Sequence, residues 1–281
     1  MNKAEVKEIL RVYQLDKAKK SLGQNFLLNE EVLQNIIKYS DLSEKDTVIE
    51  IGPGLGFLSQ LLVSRVGKLY LVELDDKLIV FLKNQFFNFD NIEFVHNNIL
   101  KIHFEDLIAN DNYKIVANIP YNITSNLFRK IMLVENKPEL LTLLIQKEVA
   151  QRISATAGQM SVLAVLLQVF YKIELKEIVK NTNFYPAPKV DSAVVKLTRI
   201  FKIEKELNNL QISFKQFSQI VKIGFSAKRK KLLNNLANGL AVDKSELKML
   251  FQDLGWSEKT RAQELSVSDW LNLAVALSGA L

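Results

Sequence analysis

Four consecutive residues, Asn118-Ile119-Pro120-Tyr121, place an amide, a rigid imino acid and an aromatic ring directly after an apolar run, Lys114-Ile115-Val116-Ala117. That run reads as a buried strand. In open α/β sheets ligands bind at the carboxyl ends of strands, where such a cluster falls. Its parts suit one task, the gripping of a flat base that carries an amino group. The amide oxygen and backbone carbonyls accept from the amine, and the ring stacks on the base. A loop in which Asn caps the next helix, Pro starts it and Tyr packs over it satisfies the tetrapeptide equally well. The residues upstream separate the two readings.

A first strand ends in Glu50-Ile51-Gly52-Pro53-Gly54-Leu55-Gly56. Glycines allow a tight turn and close approach of backbone to a ligand. The dinucleotide fingerprint G-x-G-x-x-G is not met, because the third glycine comes one residue early and Phe57 holds its place. The loop has no basic residue, and Pro53 removes a backbone donor, so a ligand without phosphates suits it better. A second strand ends Leu71-Val72-Glu73, where a carboxylate accepts from both hydroxyls of a ribose. Asn97-Asn98 ends a third; an amide there reaches an adenine edge or simply forms a turn. Adenine, ribose and a sulfonium in place of phosphate describe S-adenosylmethionine, and methyl transfer from sulfur needs neither metal nor thiol.

These tips require strands behind them. Candidate strands are Thr47–Ile51, Leu69–Glu73, Ile92–His96, Tyr113–Asn118, Leu140–Ile145, Phe170–Ile178 and Ala193–Leu197, with amphipathic helices such as Asp76–Gln85 and Ile123–Val134 between most of them. Strand–helix alternation predicts a parallel sheet with helices on both faces. The last two strands lack a helix between them, which suggests an antiparallel pair. From about residue 212 only helical spacing remains, as in Phe214-Phe217-Val221 and Leu232-Leu233-Leu236. The expected organisation is a catalytic α/β domain over 1–205 and a small all-α domain over 206–281, with the boundary in the polar segment Lys205–Asn209.

Composition narrows the function. The chain has 281 residues, 48% of them hydrophobic, and no run of the roughly 18 apolar residues that spans a membrane. The polar, acidic start Met1-Asn2-Lys3-Ala4-Glu5 does not read as a signal peptide. There is no cysteine, and His96 and His103 are the only histidines, so thiol chemistry is excluded and a metal site is not expected. The expectation is a cytoplasmic, metal-independent monomer. Net charge is +6, and the residues from 201 onward carry 12 Lys and Arg against 8 Asp and Glu, so four of the six charges fall there. The run Lys228-Arg229-Lys230-Lys231 is either a solvated helix face or a phosphate-contacting patch.

Lys20-Ser21-Leu22-Gly23-Gln24-Asn25-Phe26-Leu27, the Glu50–Gly56 loop, Glu73, Asn118–Tyr121, Gln146-Lys147-Glu148-Val149-Ala150 and Phe184-Tyr185-Pro186-Ala187-Pro188-Lys189-Val190-Asp191-Ser192 follow one another in this order. Together they resemble the ribosomal RNA adenine dimethyltransferases, most closely the bacterial small-subunit (16S) type. The resemblance covers about residues 18–275, including the basic block Phe225–Leu236. It implies a class I S-adenosylmethionine-dependent methyltransferase (Rossmann-like) sheet and methylation of the N6 amines of two adjacent adenosines near the 3′ end of the small-subunit RNA, within an assembling subunit. It further implies that Asn25 and Leu27 line the cofactor pocket, Gly52 meets the cofactor's amino-acid end, and Glu73 holds the ribose. Asn118 and the Pro120 carbonyl would face the target amine, and Tyr121 and Phe184 would sandwich the target adenine. The family usually has Gly-Asp where this chain has Asn97-Asn98, so Asn98 would accept from the cofactor's exocyclic amine through its oxygen, without charge. The segment Ala155–Ser161 is shorter than the family's usual form. The alternatives are the large-subunit (23S) resistance methyltransferase type and a non-catalytic RNA-binding assembly factor, with a nicotinamide oxidoreductase third.

Overall fold

Three continuously buried, mostly apolar runs build the centre of the sheet. Val48–Ile51, Tyr113–Ala117 and Leu140–Ile145 are buried residue after residue rather than alternately, as strands covered by helices on both faces must be. The computed structural model describes residues 3–13, 15, 24–108, 112–209, 212–227, 229–240 and 242–277, with the backbone alone at 206 and 208. Lys20–Gly23 of the N-terminal motif and Lys228 of the basic run lie outside the described residues.

The strands are β1 (Phe26–Leu27), β2 (Thr47–Ile51), β3 (Lys68–Glu73), β4 (Ile92–His96), β5 (Tyr113–Asn118), β6 (Leu140–Gln146), β7 (Tyr171–Val179), β8 (Phe184–Tyr185) and β9 (Ser192–Arg199). Helices α1 (Lys3–Val12), α2 (Glu30–Tyr39), α3 (Phe57–Leu62), α4 (Asp76–Gln85), α5 (Phe104–Leu107), α6 (Thr124–Leu133), α7 (Lys147–Ile153) and α8 (Val162–Gln168) are interleaved with them. Helices α9 (Lys202–Asn209), α10 (Phe214–Gly224), α11 (Leu232–Gly239), α12 (Lys244–Asp253) and α13 (Val267–Ala276) follow. No described helix is long and apolar enough to cross a membrane.

Seven strands form one sheet in the order β4-β3-β2-β5-β6-β9-β7. The pairs β2–β3, β3–β4, β2–β5 and β5–β6 are parallel, and β9 runs antiparallel to β6. The chain winds outward from β2 to β4 and then returns to β2's other side as β5. The carboxyl ends of β2 and β5 therefore diverge at a topological switch point, the crevice where open α/β sheets bind ligands.

Two compact units account for the chain, residues 1–150 with 174–199, and residues 151–173 with 200–281. The cut after residue 199 precedes Lys205–Asn209, which lies inside α9 rather than in a linker. Helix α8, from the most apolar stretch, belongs to the helical unit, where Phe170 just after it meets Phe214 of α10 with ring centroids 4.8 Å apart. A single boundary along the sequence misses this grouping because it depends on packing partners more than forty residues away. The helical unit's centre is Trp270, fully buried and stacked on Phe225. Trp256 is half-buried, edge-on to Phe251.

Candidate active site

The loop between β2 and α3 and the tips of β3, β4 and β5 surround a cavity of about 220 Å³ in the first unit. Gln24–Leu27, Gly52–Leu55, Glu73, Asn97–Ile99 and Asn118–Ile123 line it. Six expected site residues thus converge on one space from the N-terminal segment and the strand ends: Asn25, Leu27, Gly52, Glu73, Asn98 and Asn118. Pro120 and Tyr121 join them.

Glu73 is held before any ligand arrives. One carboxylate oxygen accepts from the backbone N–H groups of Leu74 (2.8 Å) and Asp75 (2.9 Å). The other accepts from the Gly54 N–H at 3.3 Å. The Asp75 side chain caps α4 by accepting from the Lys77 N–H (3.0 Å), which turns the chain sharply after Glu73 and aims both N–H groups back at it. Gly54 has φ +59°, and a Cβ there would lie 3.1 Å from the Phe26 ring, so only glycine lets this loop close over the carboxylate. Burial pushes Glu73 above the usual carboxylate range, against the pull of the three N–H groups.

Glu50, behind the glycine loop, is almost fully buried and bonds Ser59 Oγ at 2.6 Å. Burial pushes its pKa up to about 8, the Ser59 bond opposes this, and the charge of Glu73 adds to it. The folded state therefore binds a proton that the unfolded chain releases between pH 4.5 and about 8. The resulting stability is fully present below that window and is lost as pH rises through it. Glu50→Gln keeps a partner for Ser59 and removes the titration. Without ligand, the melting temperature of the wild type should fall relative to the variant across this window; parallel curves would contradict a neutral buried Glu50.

At the tip of β5 the Asn118 side chain has one defined orientation. Its Nδ2 donates to the Asn25 carbonyl at 3.1 Å, and only an amide nitrogen can donate there, so Oδ1 is the free terminus. The Pro120 carbonyl accepts from the Ile123 N–H (3.1 Å) and lies 3.5 Å from Thr124 Oγ1. Both donors belong to the turn that starts α6, the Thr124 hydroxyl being the weaker of the two. Tyr121 is half-buried, and its phenol is tied to Ser192 Oγ at 2.6 Å. Ser192 is fully buried and stands opposite Gln146 in the β6–β9 register. Its role in fixing the Tyr121 ring was missed from sequence, although it closes the Phe184–Ser192 run.

Two residues differ from expectation in their surroundings. Phe184 does not line the cavity; it is 1% exposed, within the apolar cluster that also holds Phe26 and Leu27. The two-residue pairing of β8 with β1 places Phe184 opposite Leu27 and buries it, so no Tyr121–Phe184 sandwich is formed here. Asn98 lines the cavity, but its Oδ1 accepts from the Leu100 N–H at 2.9 Å. Lys130 of α6 donates from Nζ to the carbonyls of Ile99 (2.8 Å) and Ile102, holding the loop from below.

The donor set of this wall decides which ligand it suits. It contains the carboxylates of Glu50 and Glu73 and, among the described residues, no Lys, Arg or His. A pyrophosphate would find no cationic partner among the described residues, whereas a ribose would find acceptors and a sulfonium would meet no opposing charge there. Residues 15–278 match the sequence model of the family described as Ribosomal RNA adenine dimethylase. The chain belongs to this family. The Ribosomal RNA small subunit methyltransferase A of Dehalococcoides mccartyi (strain CBDB1) is 39% identical over 277 residues, 98% of this chain and 94% of that one. The protein of the same name from Clostridium botulinum (strain Okra / Type B1) is 37% identical over 271 residues, 95% of this chain and 96% of its own. Among solved structures, a dimethyladenosine transferase from Plasmodium falciparum superposes with a TM-score of 0.77 at 25% identity, over 90% of this chain and 98% of that one. The 23S rRNA methyltransferase ErmE shares the fold, with a TM-score of 0.72 at 23% identity over 90% and 99% of the two chains. As a member of the dimethylase family the chain is an S-adenosylmethionine-dependent methyltransferase of class I fold, and the phosphate-free cavity fits that cofactor.

A separate feature lies in the helical unit. Arg229, Lys230 and Lys231 are exposed on the loop between α10 and α11. Buried Asn235 braces this loop, its Nδ2 donating to the carbonyls of Gly224 (2.6 Å) and Ala227 (3.2 Å).

Proposed function

We propose that this chain transfers methyl groups from S-adenosylmethionine to the N6 amines of two adjacent adenosines near the 3′ end of small-subunit ribosomal RNA, acting as a monomer on an assembling subunit in the cytoplasm. The observation that carries the catalytic part is the Asn118 amide, held by the Asn25 carbonyl so that its oxygen is free to accept from an amine. The small-subunit target rests on the relatives that bear that name.

S-adenosylmethionine supplies an electrophilic methyl group on a sulfonium. The chain's residues do the rest. Glu73 holds the ribose hydroxyls, and the Gly52 turn meets the amino-acid end. An adenine amine is a weak nucleophile because its lone pair is delocalised into the ring. Acceptors at Asn118 Oδ1 and the Pro120 carbonyl, which would exchange its long Thr124 contact for the amine, favour a tetrahedral amine and stabilise the positive charge that grows on nitrogen. The proton leaves after the new N–C bond has made the nitrogen acidic. Tyr121, anchored through Ser192, stacks on the base that has left its helix, an interaction worth roughly 1–3 kcal/mol. Phe184 takes the second face only if its ring leaves the cluster under β1. Asn25 and Leu27 wall the cofactor from the N-terminal side.

The test is a tritiated-methyl assay on unmodified small and large ribosomal subunits, followed by digestion to nucleosides. Dimethyladenosine confined to small-subunit RNA is expected. Label in the large subunit would favour the resistance-type reading, and no label in either would leave a non-catalytic assembly factor.

Lys228, Arg229, Lys230 and Lys231 are assigned to RNA phosphates. Lys230→Glu with Lys231→Glu should weaken RNA binding and reduce the slope of log affinity against log salt by roughly 0.7–0.9 for each phosphate that is no longer neutralised. An unchanged slope would return the run to a solvated surface.

A further inference from the structure

The turn after β4 engages one end of an amide that lines the cavity. Asn98 Oδ1 accepts from the Leu100 N–H at 2.9 Å, closing a local turn. The Asn98 backbone N–H donates to Asn97 Oδ1 at 2.7 Å, and its carbonyl accepts from the Lys101 N–H at 2.8 Å. Lys130 pins the same loop from below. The amide therefore has one orientation, because the Leu100 N–H needs an oxygen opposite it. A carboxylate in this place would have a second oxygen to offer the cavity. An amide has an NH₂ group there instead.

The position of that group matters because of its neighbour. The Asn97 N–H donates to the Glu73 carbonyl at 3.0 Å, so the Asn97-Asn98 turn adjoins the tip of β3. A base attached to a ribose at Glu73 has this turn beside it, and Asn98 lines the cavity. We infer that Asn98 faces the cofactor's base with a hydrogen-bond donor, so that this chain does not bind the 6-amino group of adenine through residue 98. Two donors facing each other form no bond. Adenine is then held by its ring face and by the ribose at Glu73, and the pocket is indifferent to the 6-amino group.

The inference rests on the cofactor reading of the cavity. It is tested by calorimetric binding of two ligands to the full chain and to its Asn98→Asp variant. One ligand is S-adenosylhomocysteine; the other is its analogue with hydrogen in place of the 6-amino group. Asn98→Asp keeps an acceptor for Leu100 and adds one toward the base. The wild type should bind the two ligands within about threefold of each other. The variant should bind S-adenosylhomocysteine more tightly than the wild type does and should lose roughly 10-fold or more on removal of the amine, the usual worth of a hydrogen bond to a charged acceptor. The inference stands if the penalty for removing the amine is at least fivefold larger in the variant. Any smaller difference overturns it, because the wild-type amide would then be accepting from the amine as a carboxylate does. If neither ligand binds the wild type, the cofactor reading fails and the inference falls with it.

Discussion

Asn118→Ala is expected to lower the single-turnover rate of methyl transfer by about 10²–10³-fold, the range typical of losing one preorganised group that meets developing transition-state charge. The cofactor dissociation constant should stay within a few-fold. In the proposed site Asn118 Oδ1 is the terminus left to accept from the target amine, while the cofactor's ribose is assigned to Glu73. The loss should therefore fall on chemistry and not on binding. The substitution also removes the Asn118 donor from the Asn25 carbonyl. Stopped assays with enzyme in excess, beside a cofactor titration, separate the two quantities. Equal losses in both would mean that Asn118 supports the cofactor pocket rather than the amine.

Glu73→Gln should show the opposite pattern. The wild-type carboxylate accepts from three backbone N–H groups, two on one oxygen and one on the other, which leaves one lone pair to accept from the ribose. A glutamine has one acceptor terminus. The paired N–H groups of Leu74 and Asp75 will claim it, which turns the NH₂ toward the Gly54 N–H and the ribose. One bond to a charged acceptor is worth about 1.5–3 kcal/mol, so cofactor affinity should drop roughly 10- to 100-fold. At saturating cofactor the rate should be little changed, since these bonds exist equally before and during the transfer. A variant that binds normally but turns over slowly would place Glu73 in the chemistry instead.

The strands that carry the site were legible because their residues leave little choice. Thr47–Ile51, Ile92–His96 and Tyr113–Asn118 form with the bounds that apolar runs and turn residues suggest, and so does the helix Asp76–Gln85. The glycine loop and Glu73 were legible for the same reason, since each sits at a strand end that local pattern locates. Other features depend on partners distant in sequence. The two-residue strand β8 carries no local signal, and its pairing with β1 takes Phe184 into the core. Helix α8 reads as one more apolar run, and only its packing assigns it to the helical unit.

The amide groups mark the same division. Residue types and order alone pointed to a phosphate-free nucleoside pocket beside an edge suited to an amine, because Gly52, Glu73 and Asn118 fall at strand ends. Which terminus of the Asn118 amide is left free was decided by tertiary structure. An amide is a donor at one end and an acceptor at the other, and its neighbours choose between them. The Asn25 carbonyl, far away along the chain, leaves Asn118 an oxygen to offer, whereas Asn98 is held by the Leu100 N–H of its own turn.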